Sequence, residues 1–139
     1  MCIAKDIFHE TVKQALEADN WKITHDPFTL NLSKRNLFID LGAEKIIAAQ
    51  RENQKIAVEI KSFVGLSPIT DFYKALGQYQ LYILALKRQL PDTVLYLAMP
   101  QESYESLIKD DLLAEFMDEL ALKYILFDPE TKRIMQWIN

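Results

Sequence analysis

The sequence predicts an α/β domain, with a central mixed sheet flanked by helices. Three observations carry this. Residues 69–90 form one long helical segment in which Phe72, Leu76, Tyr79, Ile83, Leu86 and Leu90 recur at four- and three-residue steps, laying a single apolar stripe. Short β-prone runs bounded by turn residues precede and follow that segment. A chain of 139 residues with 50% hydrophobic content is long enough for one real core and too short for two comfortable ones, so residues 1–139 form one domain.

Taken in order, residues 4–17 place Phe8, Val12, Ala15 and Leu16 on one stripe at helical spacing, ended near Asn20. Residues 21–25, 28–32 and 37–41 read as short strands, separated by Asp26-Pro27 and by Ser33-Lys34-Arg35-Asn36. Residues 45–50 and 55–63 are β-prone, and Arg51-Glu52-Asn53-Gln54 between them suits a hairpin loop. Gly65-Leu66-Ser67-Pro68 closes the last of these strands before the long helix. Pro91-Asp92 stops that helix, residues 93–98 read as a buried strand, and residues 107–120 give an acidic second helix. Strands at 123–127 and 133–138 finish the chain.

Composition excludes several classes. No apolar run approaches the roughly 20 residues of a membrane span, and the amino end lacks a basic-then-apolar leader, so a cytoplasmic protein with no membrane is expected. Cys2 is the only cysteine, which rules out a disulfide and a cysteine metal cluster. The net charge of −4 argues against tight non-specific binding to nucleic acid. A local basic patch is still available at Lys34 and Arg35, placed to line one lip of a groove. Most of the acidic excess lies elsewhere, between Glu102 and Glu119.

The chemistry concentrates in Ile56-Ala57-Val58-Glu59-Ile60-Lys61-Ser62-Phe63. Side chains alternate across a strand, so Ile56, Val58 and Ile60 face one way, while Ala57, Glu59 and Lys61 face the other. If the strand ending near Asp40 lies in the same sheet, Asp40 meets Glu59 and Lys61. Two carboxylates and an ammonium in an apolar corner are costly to desolvate unless paired or bound to a cation. A divalent ion, Mg²⁺ or Mn²⁺, resolves this with Asp40, Glu59 and the carbonyl of Ile60 as protein ligands. Lys61 then stands beside the attacking water or the charge developing on phosphorus. This is the pattern of a PD-(D/E)xK nuclease. The bland alternative is an ion pair at the sheet edge. A second match, Asp128-Pro129-Glu130-Thr131-Lys132, reads as an exposed turn whose charges are solvated.

Other residues are candidates around this core. Asp71, Ala75, Gln78, Tyr82 and Ala85 form a band beside the apolar stripe, from which Gln78 can reach a phosphate or simply bond a neighbour. Glu10 and Glu17 fall opposite Phe8 and Val12, so no glutamate of the first helix points inward. Lys5 lies one turn before Phe8 and either reaches the site or snorkels. His9 reads as a satisfied structural group and His25 as a turn residue.

The segments Ala4-Lys5-Asp6-Ile7-Phe8-His9, Trp21-Lys22-Ile23-Thr24-His25-Asp26-Pro27, Asp40-Leu41-Gly42-Ala43-Glu44-Lys45, Ala57-Val58-Glu59-Ile60-Lys61-Ser62-Phe63 and Ala75-Leu76-Gly77-Gln78-Tyr79 together resemble the XisH family. These are the fdxN-element excision controlling factors of cyanobacteria. Phe127-Asp128-Pro129 and Trp137-Ile138 fit as well, so the resemblance runs from end to end. It implies a restriction-endonuclease-like fold with Asp40, Glu59 and Lys61 at the nuclease-motif positions and Gln78 on the following helix. It also implies a role in programmed DNA rearrangement during heterocyst development, beside an XisI-type partner protein and a separate recombinase that exchanges the strands.

The expectation is therefore a Mg²⁺- or Mn²⁺-dependent DNA endonuclease-like factor, with Lys5, Lys34 and Arg35 as auxiliary substrate contacts. The alternative is a non-catalytic regulatory protein that keeps the fold for contact with a partner or DNA. A homodimer through the aromatic-rich end, Met135 to Ile138, is a further possibility.

Overall fold

A computed structural model describes residues 6–47, 52–63 and 67–139 of the chain. The first helix, α1 (His9–Ala18), starts where Asp6 intercepts free amides: its carboxylate accepts the Phe8 N–H at 2.9 Å and its carbonyl the His9 N–H at 3.0 Å. Val12, Ala15 and Leu16 form its buried face, as the apolar spacing requires. Strands β1 (Lys22–His25), β2 (Phe28–Leu32), β3 (Arg35–Ile39), β4 (Leu41–Ile47) and β5 (Glu52–Ile60) follow.

Helix α2 (Pro68–Gln89) is capped by the Ser67 hydroxyl, which accepts the Thr70 N–H, and it opens on a proline whose missing N–H costs nothing there. Then come β6 (Thr93–Pro100), α3 (Gln101–Ile108), α4 (Asp111–Leu120), β7 (Tyr124–Asp128) and β8 (Arg133–Ile138). Asp110 caps α4 by accepting the Leu113 N–H at 3.0 Å.

Six strands make the central mixed sheet in the order β1-β4-β5-β6-β7-β8, and β2 pairs only with β3 in a separate ribbon. Strands β5, β6 and β7 run parallel, and the pairs at either flank are antiparallel. The two crossovers, α2 from β5 to β6 and α3–α4 from β6 to β7, step the same way across the sheet. Right-handed connections therefore put all three helices on one face. The core confirms it: Ala57, Leu95 and Leu97 pack with Phe72, Tyr79, Leu113 and Met117, whereas Ile56, Val58 and Ile60 pack with Val12 and Leu16 of α1. The predicted alternation in β5 is thus the partition between the two layers.

Three expectations change. The strand expected at 37–41 is two strands that separate at Asp40, because β3 leaves the main sheet to pair with β2. The single acidic helix expected at 107–120 is two, α3 and α4, divided at Lys109-Asp110; α3 buries only Leu107, too little to show a period. Leu90, expected on the core stripe, is 42% exposed at the end of α2. The strand expected at 45–50 falls within β4 as far as Ile47, residues 48–51 lie outside the described residues, and Glu52, Asn53 and Gln54, expected in a hairpin loop, instead begin β5 and pair with Ile47, Ile46 and Lys45.

Gly42 in β4 carries the ring of Phe28 directly above it: a Cβ there would overlap Phe28 Cδ2 and stand 3.0 Å from His25 Nδ1. Overpacking a buried contact of this kind costs roughly 1–3 kcal/mol. Gly42→Ala should lower the melting temperature by several degrees in a thermal unfolding scan, and Gly42→Val should lower it further. An unchanged melting temperature would contradict this packing.

Candidate metal and phosphodiester site

The split between β3 and β4 builds the site. Leu41 pairs with Val58 across the β4–β5 ladder, so Asp40, at the point where the chain leaves the sheet, stands opposite Glu59. Each acid then takes a main-chain amide from the other strand's side of the junction. The Ile60 N–H donates to Asp40 Oδ2 at 2.7 Å, and the Asp40 N–H donates to Glu59 Oε1 at 3.3 Å. The two carboxyl groups are close enough for the charge of Asp40 to act on Glu59. Lys61 places Nζ 3.5 Å from Glu59 Oε2 with 28% of its side chain exposed, while Glu59 is 5% exposed.

These groups line one pocket of about 450 Å³. Asp40, Glu59, Ile60 and Lys61 form its floor, Asn36, Leu37 and Phe38 of the ribbon form one wall, and Gln78 and Tyr82 of α2 form the other. The predicted set of Asp40, Glu59, Ile60, Lys61 and Gln78 is therefore brought together. Lys34 and Arg35 are exposed at the tip of the β2–β3 ribbon and do not line the pocket. Lys5 lies outside the described residues.

Electrostatics favour a cation here. Burial pushes the Asp40 carboxyl up, against the opposing effect of the Ile60 amide. Burial, and then the charge of Asp40, push Glu59 up to about 8 although Lys61 opposes this. In the metal-free protein the pair holds a proton at neutral pH, because two bare charges this close in a low-dielectric corner are too costly. A divalent cation removes that cost, and hard oxygen donors suit Mg²⁺ or Mn²⁺. Donor chemistry and burial thus fit the ion the sequence suggested.

Two further residues line the pocket: Asp6, which the sequence did not single out for the site, and Tyr82, which it placed in the band beside the apolar stripe. Asp6 lines the pocket, with Oδ2 accepting the Ser62 N–H at 2.9 Å. The inward acid sought on the first helix is thus supplied from just before it. The available signal was a helix-start aspartate two residues ahead of the first apolar stripe position. Tyr82 donates its hydroxyl to the Phe38 carbonyl at 3.1 Å, tying α2 to the ribbon. Its pKa is pushed up by burial and then by the charges of Glu59 and Asp40.

The neighbouring histidine has a structural partner. His9 is 3% exposed and bonds Asp26 Oδ1 through Nε2 at 2.7 Å, and the Lys13 ammonium holds Asp26 Oδ2 at 2.9 Å. Although burial pushes Asp26 up, the hydrogen bonds from Lys13 and His9 hold it below the usual carboxylate range. His25 closes β1 with its ring 4.4 Å from that of Phe28. Tyr79 is a packing residue: its hydroxyl donates to the Leu95 carbonyl and accepts the Lys123 N–H. The second Asp…Glu-x-Lys match is the turn expected of it, with Asp128 Oδ1 accepting the Glu130 N–H.

Comparison with known proteins agrees with this architecture. The family model described as XisH protein matches residues 2–135. An XisH family protein from Nostoc punctiforme has a crystal structure 44% identical in sequence with a TM-score of 0.85, covering 96% of this chain and 100% of that one. An fdxN element excision controlling factor protein from Anabaena variabilis is 43% identical with a TM-score of 0.86, covering 97% and 100%. Among curated proteins, none matched the chain.

Glu59 has its raised value only in the folded chain. Between its ordinary 4.5 and about 8, the native state keeps a proton that the unfolded chain has released, so stability falls as pH rises through that window. In EDTA, thermal scans from pH 5 to pH 8 should show a falling melting temperature, and Glu59→Gln, which cannot ionise, should flatten that fall. Equal slopes in the two proteins would contradict the coupling.

Proposed function

The chain belongs to the XisH family, and from that premise we propose that it controls the excision of a DNA element through a metal-dependent phosphodiesterase site of the PD-(D/E)xK kind. The observation that carries the proposal is the buried carboxyl pair, Asp40 and Glu59, with Lys61 beside it in an open pocket. Desolvating two acids costs several kcal/mol per ion, and a pair kept only for structure is replaced at lower cost by apolar side chains. The role in excision follows from the neighbour in Anabaena variabilis, which is an fdxN element excision controlling factor.

In this reading Asp40 and Glu59 hold Mg²⁺ or Mn²⁺ together with the Ile60 main chain, and Asp6 adds a third acid at the pocket wall. When bound, the cation supplies neutralisation of phosphate charge. Lys61 donates from Nζ to a phosphate oxygen, offsetting the charge that grows there in the transition state. Gln78 orients the phosphodiester with its side-chain amide, and Lys34 and Arg35 on the ribbon tip touch the DNA backbone further out. The protein acts in the cytoplasm beside an XisI-type partner.

A second reading has its own support. The net charge of −4 and the run of acids on α3 and α4 suit protein contact better than a duplex, so the chain serves in this case as a regulatory subunit that retains the fold. No described helix is long and apolar enough to cross a membrane, which is compatible with either role.

Supercoiled, single-stranded and branched DNA incubated with the protein and Mg²⁺ or Mn²⁺ separates the two. Metal-dependent cutting that Lys61→Ala lowers by roughly 10²-fold or more supports the enzyme. No cutting of any substrate, with or without the partner protein, supports the regulator. Calorimetry of Mn²⁺ binding should show a clear isotherm for wild type and a loss of at least about tenfold in affinity for Asp40→Asn.

A further inference from the structure

Among the described residues, twelve large apolar side chains stand more than a third exposed, and nine of them lie on α2, α3, α4 or the residue ending α2. Both crossovers put these helices on one face of the sheet, so the exposed groups share one outer layer. On α2 the outward positions are Tyr73, Leu81 and Leu84, and on α4 they are Leu112, Phe116 and Leu120, at four-residue steps. Scattered apolar residues need no explanation, but a concentrated set of this size does.

Charge divides the same layer in two. Around the α2 stripe the exposed charges are basic, Lys74, Lys87 and Arg88, and its one acid, Asp71, is half-buried. On α4 itself they are all acidic, Asp111, Glu115, Asp118 and Glu119, with Lys109 the one exposed base just ahead of the helix. Gly77 lies at the centre of the α2 stripe, and a Cβ built there would meet nothing within 4 Å. A glycine in mid-helix costs stability, and no neighbour in the chain requires it; its value is a flat place where another helix can come close.

We propose that this helical layer is the contact between two copies of the chain, with α2 of each lying on α4 of the other about a two-fold axis. A two-fold interface must be self-complementary, with each patch meeting its mate twice. The layer meets that condition, since it carries both a basic-edged apolar stripe, on α2, and an acidic-edged one, on α4, on the same face of the sheet. Size agrees as well: nine such side chains, 36% to 59% exposed, offer on the order of 800 Å², about what one partner gives to a standard interface. The contact uses neither the edge strand β8 nor the carboxyl pair, and on α2 it runs along the flank next to Gln78 and Tyr82, so it holds whether or not Asp40 and Glu59 support catalysis.

Sedimentation velocity at micromolar concentration tests the arrangement with two exposed triple variants. Lys74→Glu/Lys87→Glu/Arg88→Glu makes both stripes acidic, and Glu115→Lys/Asp118→Lys/Glu119→Lys makes both basic. Wild type should sediment as a dimer, and each variant alone should associate at least about tenfold more weakly. An equimolar mixture of the two should recover the dimer, because every α2–α4 contact is then again between opposite charges. Phe116→Glu, a single exposed change, should also weaken the dimer while keeping a cooperative melt. A monomeric wild type, including one that associates only with a different protein, would overturn the proposal. So would variants that stay dimeric, or a mixture that stays monomeric.

Discussion

The amide of Ile60 held by Asp40, and the amide of Asp40 held by Glu59, set the local geometry on which the rest depends. Main-chain N–H groups at a strand end must find an acceptor, and here the acceptors are carboxyl oxygens rather than a neighbouring carbonyl. With its side chain bonded to the next strand's backbone, Asp40 marks where β3 diverges and β4 begins. The diverging strand pairs with β2, and that ribbon becomes the wall of the pocket that Asp40 itself floors. Removing one member would strand a donor at a cost of about 1–3 kcal/mol, so the two acids hold the local backbone in place.

The same bonds help to explain why Glu59 tolerates its position. Its strand neighbours Val58 and Ile60 are in the core against α1, while Glu59 turns toward the α2 side at the open end of the sheet. Burial would expel a lone carboxylate; Lys61 and the Asp40 amide offset part of that cost, and a shared proton or a cation the remainder. Tyr82 completes the enclosure, because its bond to the Phe38 carbonyl fixes the distance between α2 and the ribbon.

Legibility in the sequence followed the physics of each signal. Period-two alternation put Glu59 and Lys61 on one face and Ile56, Val58 and Ile60 on the other, and the two core clusters separate along that line. The long stripe of α2 located Phe72, Tyr79 and Leu86 in the core. It placed the centre of burial a little to one side, since Ala75, Tyr82 and Ala85 are buried and Leu90 is not. The break at Asp40 was illegible because Leu37, Ile39 and Leu41 keep the same alternation through it, and only tertiary hydrogen bonds reveal two strands. Asp6 escaped because helical periodicity ranks residues within a helix, and this one acts from before its first turn. Nothing local in 101–106 distinguishes α3 from a loop, as its single buried residue comes at its end.

The two faces of the sheet are therefore finished differently. Helix α1 closes one side, where Asp26 accepts hydrogen bonds from both His9 and Lys13. The other side carries three helices whose inner faces fill the core, and two of them, α2 and α4, keep apolar stripes on their outer faces. A sheet layer needs only one covered side per helix, so an outer stripe on α2 and α4 adds nothing to the monomer, and exposed apolar surface is a liability for solubility. Keeping such a surface, with opposite charges sorted onto its two halves, is physically reasonable only if something covers it. The pocket instead lies between the ribbon and the flank of α2 that carries Gln78 and Tyr82, beside the outer stripe of Tyr73, Leu81 and Leu84 rather than on it.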